Sequence, residues 1–175
     1  THFMVTAPAL PQTSEPIHKA KPLNIKQPPF KAGSLTVICG SMCSGKSEET
    51  IRLVGRFILA GFDVLVFKPA IDDRKLLNLE QDPLSYIPSR NGSWVGCTAV
   101  KTVDDMIQAA EASTAHVIAI DEVHFFTPEK DMFIKFVRSL VESGKKVILA
   151  GLELDFRSEP FGPMPQLLAF ADHVM

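Results

Sequence analysis

The segment ICGSMCSGKSEE, Ile38 to Glu49, sets two glycines, a lysine and a serine between an apolar run and a helical pattern. Gly40, Gly45, Lys46 and Ser47 fit G-x-x-x-x-G-K-[ST], a loop that cradles phosphates with backbone N–H groups. Four fixed positions recur by chance in about one chain of this length in a hundred, so context has to decide. The loop needs a strand before it and a helix after it. Ser34 to Cys39 is rich in β-formers, and Glu48 to Ala60 puts Ile51, Val54, Ile58 and Leu59 at helical spacing, with Gly61 closing the helix. A phosphate needs several donors converging with no side chain in the way, and glycine permits that approach. Gly40, Ser41, Met42, Cys43, Ser44 and Gly45 form the cradle, Lys46 reaches the β- and γ-phosphates, and the Ser47 hydroxyl is placed to ligate Mg²⁺. The alternative is an ordinary Gly/Ser turn capping a helix.

The rest of the chain supports the phosphate loop. Residues 1–32 form a separate piece, because Pro8, Pro11, Pro16, Pro22, Pro28 and Pro29 interrupt every periodicity; this is a Pro-rich tail or linker, expected to be disordered. Residues 33–175 alternate strand-like and helix-like segments. Asp63 to Lys68 reads as a buried strand, 71–92 as irregular, Trp94 to Val100 as a strand and Val103 to Ser113 as a helix. His116 to Ile120 reads as a strand, Pro128 to Ser143 as a helix with Thr127 as N-cap, and Lys146 to Ala150 as a strand. Such alternation predicts an α/β fold, a parallel sheet flanked by helices with ligands at the carboxyl ends of its strands.

Composition narrows the partners. The longest apolar run, near His116 to Ile120, is strand-sized and far short of the roughly 18 residues a spanning helix needs, so no membrane partner is expected. A net charge of −2 argues against a dedicated nucleic-acid binder, which carries a basic stripe. Cys39, Cys43 and Cys97 make neither an even disulfide framework nor a four-ligand zinc set, and reduced thiols in a cytoplasmic protein are the default. Small-residue packing accounts for Cys39 and Cys43.

VIAIDE, Val117 to Glu122, is the partner a phosphate loop requires: a buried strand ending in acids. Asp121 would hold Mg²⁺ while the ion bridges the β- and γ-phosphates. Successive strand side chains point to opposite sides, so Glu122 is expected to face an attacking oxygen as general base. That oxygen could belong to water, in an ATPase, or to a substrate hydroxyl, in a kinase.

Five motifs in order resemble the type II thymidine kinases over about residues 33–175. They are GSMCSGKS, FKPAIDDR (Phe67 to Arg74), SRNG (Ser89 to Gly92), IDEVHFF (Ile120 to Phe126) and DFRSEPFG (Asp155 to Gly162). The resemblance implies a RecA-like P-loop core that transfers the γ-phosphate of ATP to the 5′-hydroxyl of thymidine, in a cytoplasmic homotetramer. It implies that the loop, with Asp121, Glu122, Val123 and His124, meets the nucleotide, and that Glu122 is the base. Met42, Phe125, Leu152, Phe156 and Phe161 would line the nucleoside pocket, with Asp72 and Arg74 near the transferring phosphate and the sugar. Phe126 is expected in the core. His124 stands where the family usually has glutamine. The family's zinc ribbon and base-covering loop would follow Met175, so zinc is expected only there. Residues 1–175 are expected to bind ATP and to phosphorylate thymidine poorly or not at all. The competing readings are a RecA-like ATPase and a nucleotide-binding module without catalysis.

Overall fold

The computed structural model describes residues 32–70, 86–88, 92 and 94–175. Its centre is a parallel sheet whose strands alternate between two cores. β1 (Ser34–Ile38), β2 (Val64–Pro69), β5 (Thr98–Val100), β6 (Val117–Ile120), β7 (Lys146–Ala150) and β8 (His173–Val174) lie in the order β5-β2-β6-β7-β1-β8. Every pairing in this sheet is parallel, with Ser34 opposite Lys146 and Val64 opposite Val117.

The pleat sorts the side chains. Leu35, Val37, Phe67, Ile118, Ile120, Val147 and Leu149 face one way. They pack against α2 (Val103–Glu111), α3 (Lys130–Glu142) and α4 (Met164–Phe170), through Met106, Phe133, Val137, Met164 and Leu167. Ile38, Val66, Val117, Ala119, Ile148 and Ala150 face the other way, onto α1 (Lys46–Leu59) through Ile51 and Val54. Burial on both faces is why these strands read as continuous apolar runs. The α/β expectation, a parallel sheet flanked by helices, is met.

Several local expectations are corrected. Trp94 to Val100 is not one strand: β4 (Trp94–Gly96) pairs antiparallel with β3 (Tyr86–Pro88), and only β5 joins the main sheet. The hairpin's Ile87 and Val95 pack into the α1 core, so two short apolar runs serve two different sheets. Thr127 does not cap α3. It sits in a 3-10 segment, Val123–Glu129, where its Oγ1 donates to the His124 carbonyl at 2.6 Å, and α3 starts only at Lys130. The Glu129 carboxylate instead accepts the Val103 N–H at 3.1 Å, tying this segment to the start of α2. That start carries a capping box between Thr102 and Asp105. α4 and β8 extend the fold beyond the last expected strand. The Pro-rich tail, apart from Ala32, lies outside the described residues.

No helix of the described residues is long and apolar enough to cross a membrane.

Candidate active site

The phosphate loop is built by backbone conformation. Gly40 and Gly45 have φ of 139° and 88°, which favour glycine, and a Cβ on Gly40 would meet Ser44 Oγ at 2.8 Å. Cys43 adopts φ 65° without being glycine, and its side chain is exposed at the pocket, so tight packing does not account for it. The cysteines of the described residues, Cys39, Cys43 and Cys97, are free. Gly45 turns the chain into α1, whose first residue is Lys46, two positions earlier than the periodicity suggested. Lys46 Nζ donates to the carbonyls of Gly40 at 3.0 Å and Ser41 at 2.5 Å, and lies 3.4 Å from Ser44 Oγ. The loop's own oxygens thus hold the ammonium where an anion's oxygens would take over.

β7 lies between β1 and β6, so the loop after β1 and the acids after β6 face each other from strands one place apart. A pocket of about 460 Å³ joins them. Met42, Cys43, Ser44, Gly45, Lys46, Ser47, Asp121, Glu122, His124, Phe125, Leu152 and Phe161 line it. Pro88 of the hairpin, Glu48 and Gly151 line it as well. Pro88 had no motif to mark it, since it reaches the pocket as the last residue of β3, paired with Trp94. Gly151 had a geometric signal only: a Cβ there would come within 2.9 Å of Met164 Sδ and Val123 Cγ2.

Asp121 is 5% exposed. Burial, then the neighbouring Glu122, push its carboxyl up to about 6, opposed by the Glu122 N–H at 2.9 Å and by the charges of Lys68 and Lys46. A carboxylate buried at this cost gains from a cation. Ser47 and Asp121 both line the pocket, and phosphate-bound Mg²⁺ needs only one or two protein ligands, so the donor set fits the ion. Among the described residues no group of three or more His, Cys, Asp or Glu side chains forms a metal cluster.

The separation of Asp121 from Glu122 has a different origin from the one the pleat suggests. β6 ends at Ile120, and Glu122 takes a left-handed conformation, φ 52° and ψ 42°, that opens the 3-10 segment. A turn, not strand alternation, therefore sets the course of the chain at Glu122.

Beyond Glu122 the wall is aromatic. The His124 ring lies 4.4 Å from that of Phe125 and 4.9 Å from that of Phe161. Burial, with a smaller effect of Lys46, pushes the imidazole down to about 4, so it is neutral near pH 7. Val123 is fully buried in the core behind the wall, and Phe126 stacks on Phe133 in that core as expected. Phe156 is 90% exposed on a small turn closed by the Leu154–Pro160 bridge, under the Arg157 guanidinium and outside the pocket lining. Asp72 and Arg74 lie outside the described residues, as do Ser89 and Arg90.

Comparison with known proteins agrees with this geometry. The family model described as thymidine kinase matches residues 33–175. The thymidine kinase of Deinococcus deserti is 46% identical over 155 residues, covering 83% of this chain and 72% of that protein. The thymidine kinase of Deinococcus radiodurans is 41% identical over 155 residues, covering 83% and 68%. The solved structure of the flagellar accessory protein FlaH from Methanocaldococcus jannaschii superposes with a TM-score of 0.51 at 14% identity, over 83% of this chain and 71% of that one. That last likeness speaks for the fold alone. With a family match that begins one residue before β1, and close relatives that share the name, the chain belongs to the thymidine kinase family.

Proposed function

We propose that this protein transfers the γ-phosphate of ATP to the 5′-hydroxyl of thymidine. The observation that carries the reading is the single pocket in which a phosphate loop, an acid pair and an aromatic wall meet. In this reading Lys46 and the loop N–H groups hold the β- and γ-phosphates, and Ser47 and Asp121 hold Mg²⁺. Bound there, Mg²⁺ neutralises charge on the phosphates. Glu122 accepts the proton of the nucleoside hydroxyl as its oxygen bonds to the γ-phosphorus and the bond to the β-phosphate oxygen breaks. In a loose transition state most of the work is positioning and charge stabilisation, so a carboxylate that takes the proton late is sufficient.

Phe125, Phe161, Leu152 and Met42 form the nucleoside walls, and Asp72 and Arg74 approach the sugar and the transferring phosphate. The family resemblance adds a cytoplasmic homotetramer. Size-exclusion chromatography with light scattering tests the assembly.

The deciding assay measures ADP formation with and without thymidine. A kinase consumes ATP in step with the nucleoside. Phosphate release to water at the same rate without thymidine would make the protein an ATPase instead.

A further inference from the structure

His124 is the residue of the pocket whose identity departs from the family pattern, and its surroundings assign its proton. Its Nδ1 accepts the Leu152 N–H at 3.1 Å, so that nitrogen carries no hydrogen and, in the neutral ring, Nε2 does. Gly151 lies beside this contact: a Cβ there would stand 3.4 Å from Nδ1 and 2.9 Å from Met164 Sδ and Val123 Cγ2. Nε2 makes no hydrogen bond to the described residues and is not among their fully buried orphan atoms, while the residue lines the pocket. With Nδ1 engaged by Leu152, Nε2–H is the donor this pocket-lining ring has left to offer. The residue is 4% exposed, with its ring beside those of Phe125 and Phe161.

Resting on the kinase reading, we propose that His124 is a specificity-determining residue whose Nε2–H donates to a carbonyl oxygen on the edge of a pyrimidine base. A phosphate calls for the ammonium of Lys46, which the loop carbonyls hold, and not for a lone neutral donor. Between aromatic walls the fitting ligand is a flat ring, and a single neutral N–H at its edge asks for an acceptor. A glutamine at this position can also accept from Leu152 N–H and donate into the pocket, which accounts for the exchange in chemical terms.

The test compares wild type, His124→Gln and His124→Met on thymidine, 2-thiothymidine and 4-thiothymidine, sulfur being a weaker acceptor than oxygen. Wild type is expected to lose about tenfold or more in kcat/KM on one thio analogue, carried by the nucleoside KM. His124→Met should lose a similar factor on thymidine, stop distinguishing that analogue, and keep its KM for ATP within about twofold. His124→Gln should restore the discrimination. If His124→Met still discriminates as wild type does, or if its loss falls on ATP, the proposal is wrong.

A second measurement is independent of turnover. Long-range ¹H–¹⁵N spectra of wild type should show a bare Nδ1 and a protonated Nε2, with the Nε2–H signal moving on addition of thymidine and staying put with ATP alone. A proton on Nδ1, or a response to ATP alone, overturns the assignment. If wild type forms no ADP in response to thymidine, the same spectra with the four deoxynucleosides still decide whether His124 meets a pyrimidine.

Discussion

The two halves of the pocket are made by opposite means. The phosphate half is one contiguous stretch, Gly40 to Ser47, shaped by positive φ angles and backbone carbonyls, with Asp121 brought to it by one neighbouring loop. The aromatic half is assembled from separate stretches around Glu122 to Phe125, Gly151 to Leu152 and Phe161 to Gly162. Tertiary contacts hold them: Leu152 N–H to His124 Nδ1, and Gly162 against Thr127. Backbone recognition writes itself into a short motif. Side-chain recognition is spread over the chain.

This contrast can be broken or sharpened by experiment. The largest effect is expected at the seam, where Glu122→Gln should cut phosphoryl transfer by about 10² to 10⁴ while ATP affinity holds in a binding titration. A matched loss of ATP affinity would move Glu122 to the phosphate half. Lys46→Ala should cost about 10² to 10³ in turnover, with weaker ATP binding and an unchanged nucleoside KM at saturating ATP. Wild-type turnover at limiting ATP would remove the loop from its assigned role.

Gly162→Ala probes the other half. Its φ is 54° and the new Cβ would come 2.2 Å from Thr127 Oγ1, so a loss of about 1–3 kcal/mol in stability is expected, with a raised nucleoside KM and little change for ATP. An equal rise in both KM values would show that the halves are mechanically one.

A smaller net effect is expected from pH, because one buried group in each half titrates against the other. His124 falls to about 4 from an ordinary value near 6.5, so the unfolded chain takes up its proton first and stability is lost as pH drops from about 6.5 to about 4. Asp121 rises to about 6 from an ordinary value near 3.9, so stability is gained as pH drops through about 6 toward that value. The ligand-free protein should feel these two slopes cancel in part. Urea unfolding between about pH 6.5 and about pH 4.5 should show Asp121→Asn losing stability on acidification more steeply than wild type, and His124→Gln less steeply. Parallel curves for the three proteins would refute both assignments. Phe156→Ala should do least, within about 0.5 kcal/mol of wild type and with neither KM moved twofold. A large nucleoside effect would put Phe156 back among the pocket walls.

What could be read before folding follows the same division. The phosphate loop, the acid-ended strand and the two-sided apolar strands β1, β2, β6 and β7 carry their signals within a few residues. Local chemistry makes them. The split of Trp94 to Val100 was invisible because β4 and β5 share β-propensity, and only pairing partners tell them apart. Thr127 followed by Pro128 reads as a helix start, yet the His124 carbonyl captured the hydroxyl and delayed α3. The aromatic wall came from family motifs, and these named Phe125 and Phe161 together with Phe156, whose exposure is decided by a turn the motif does not encode. Pro88 and Gly151 reach the pocket only through the fold.

The strand order carries a consequence for biosynthesis. β1 emerges first of the sheet strands, yet its partners are β7 and β8, at the far end of the sequence, with Ser34 waiting for Lys146. During translation the loop that follows β1 has no neighbouring strand at its root until β7 has been made. Closing so long a loop comes late in folding. A nucleotide can therefore aid the folding of this loop only once residues 146–150 have been made.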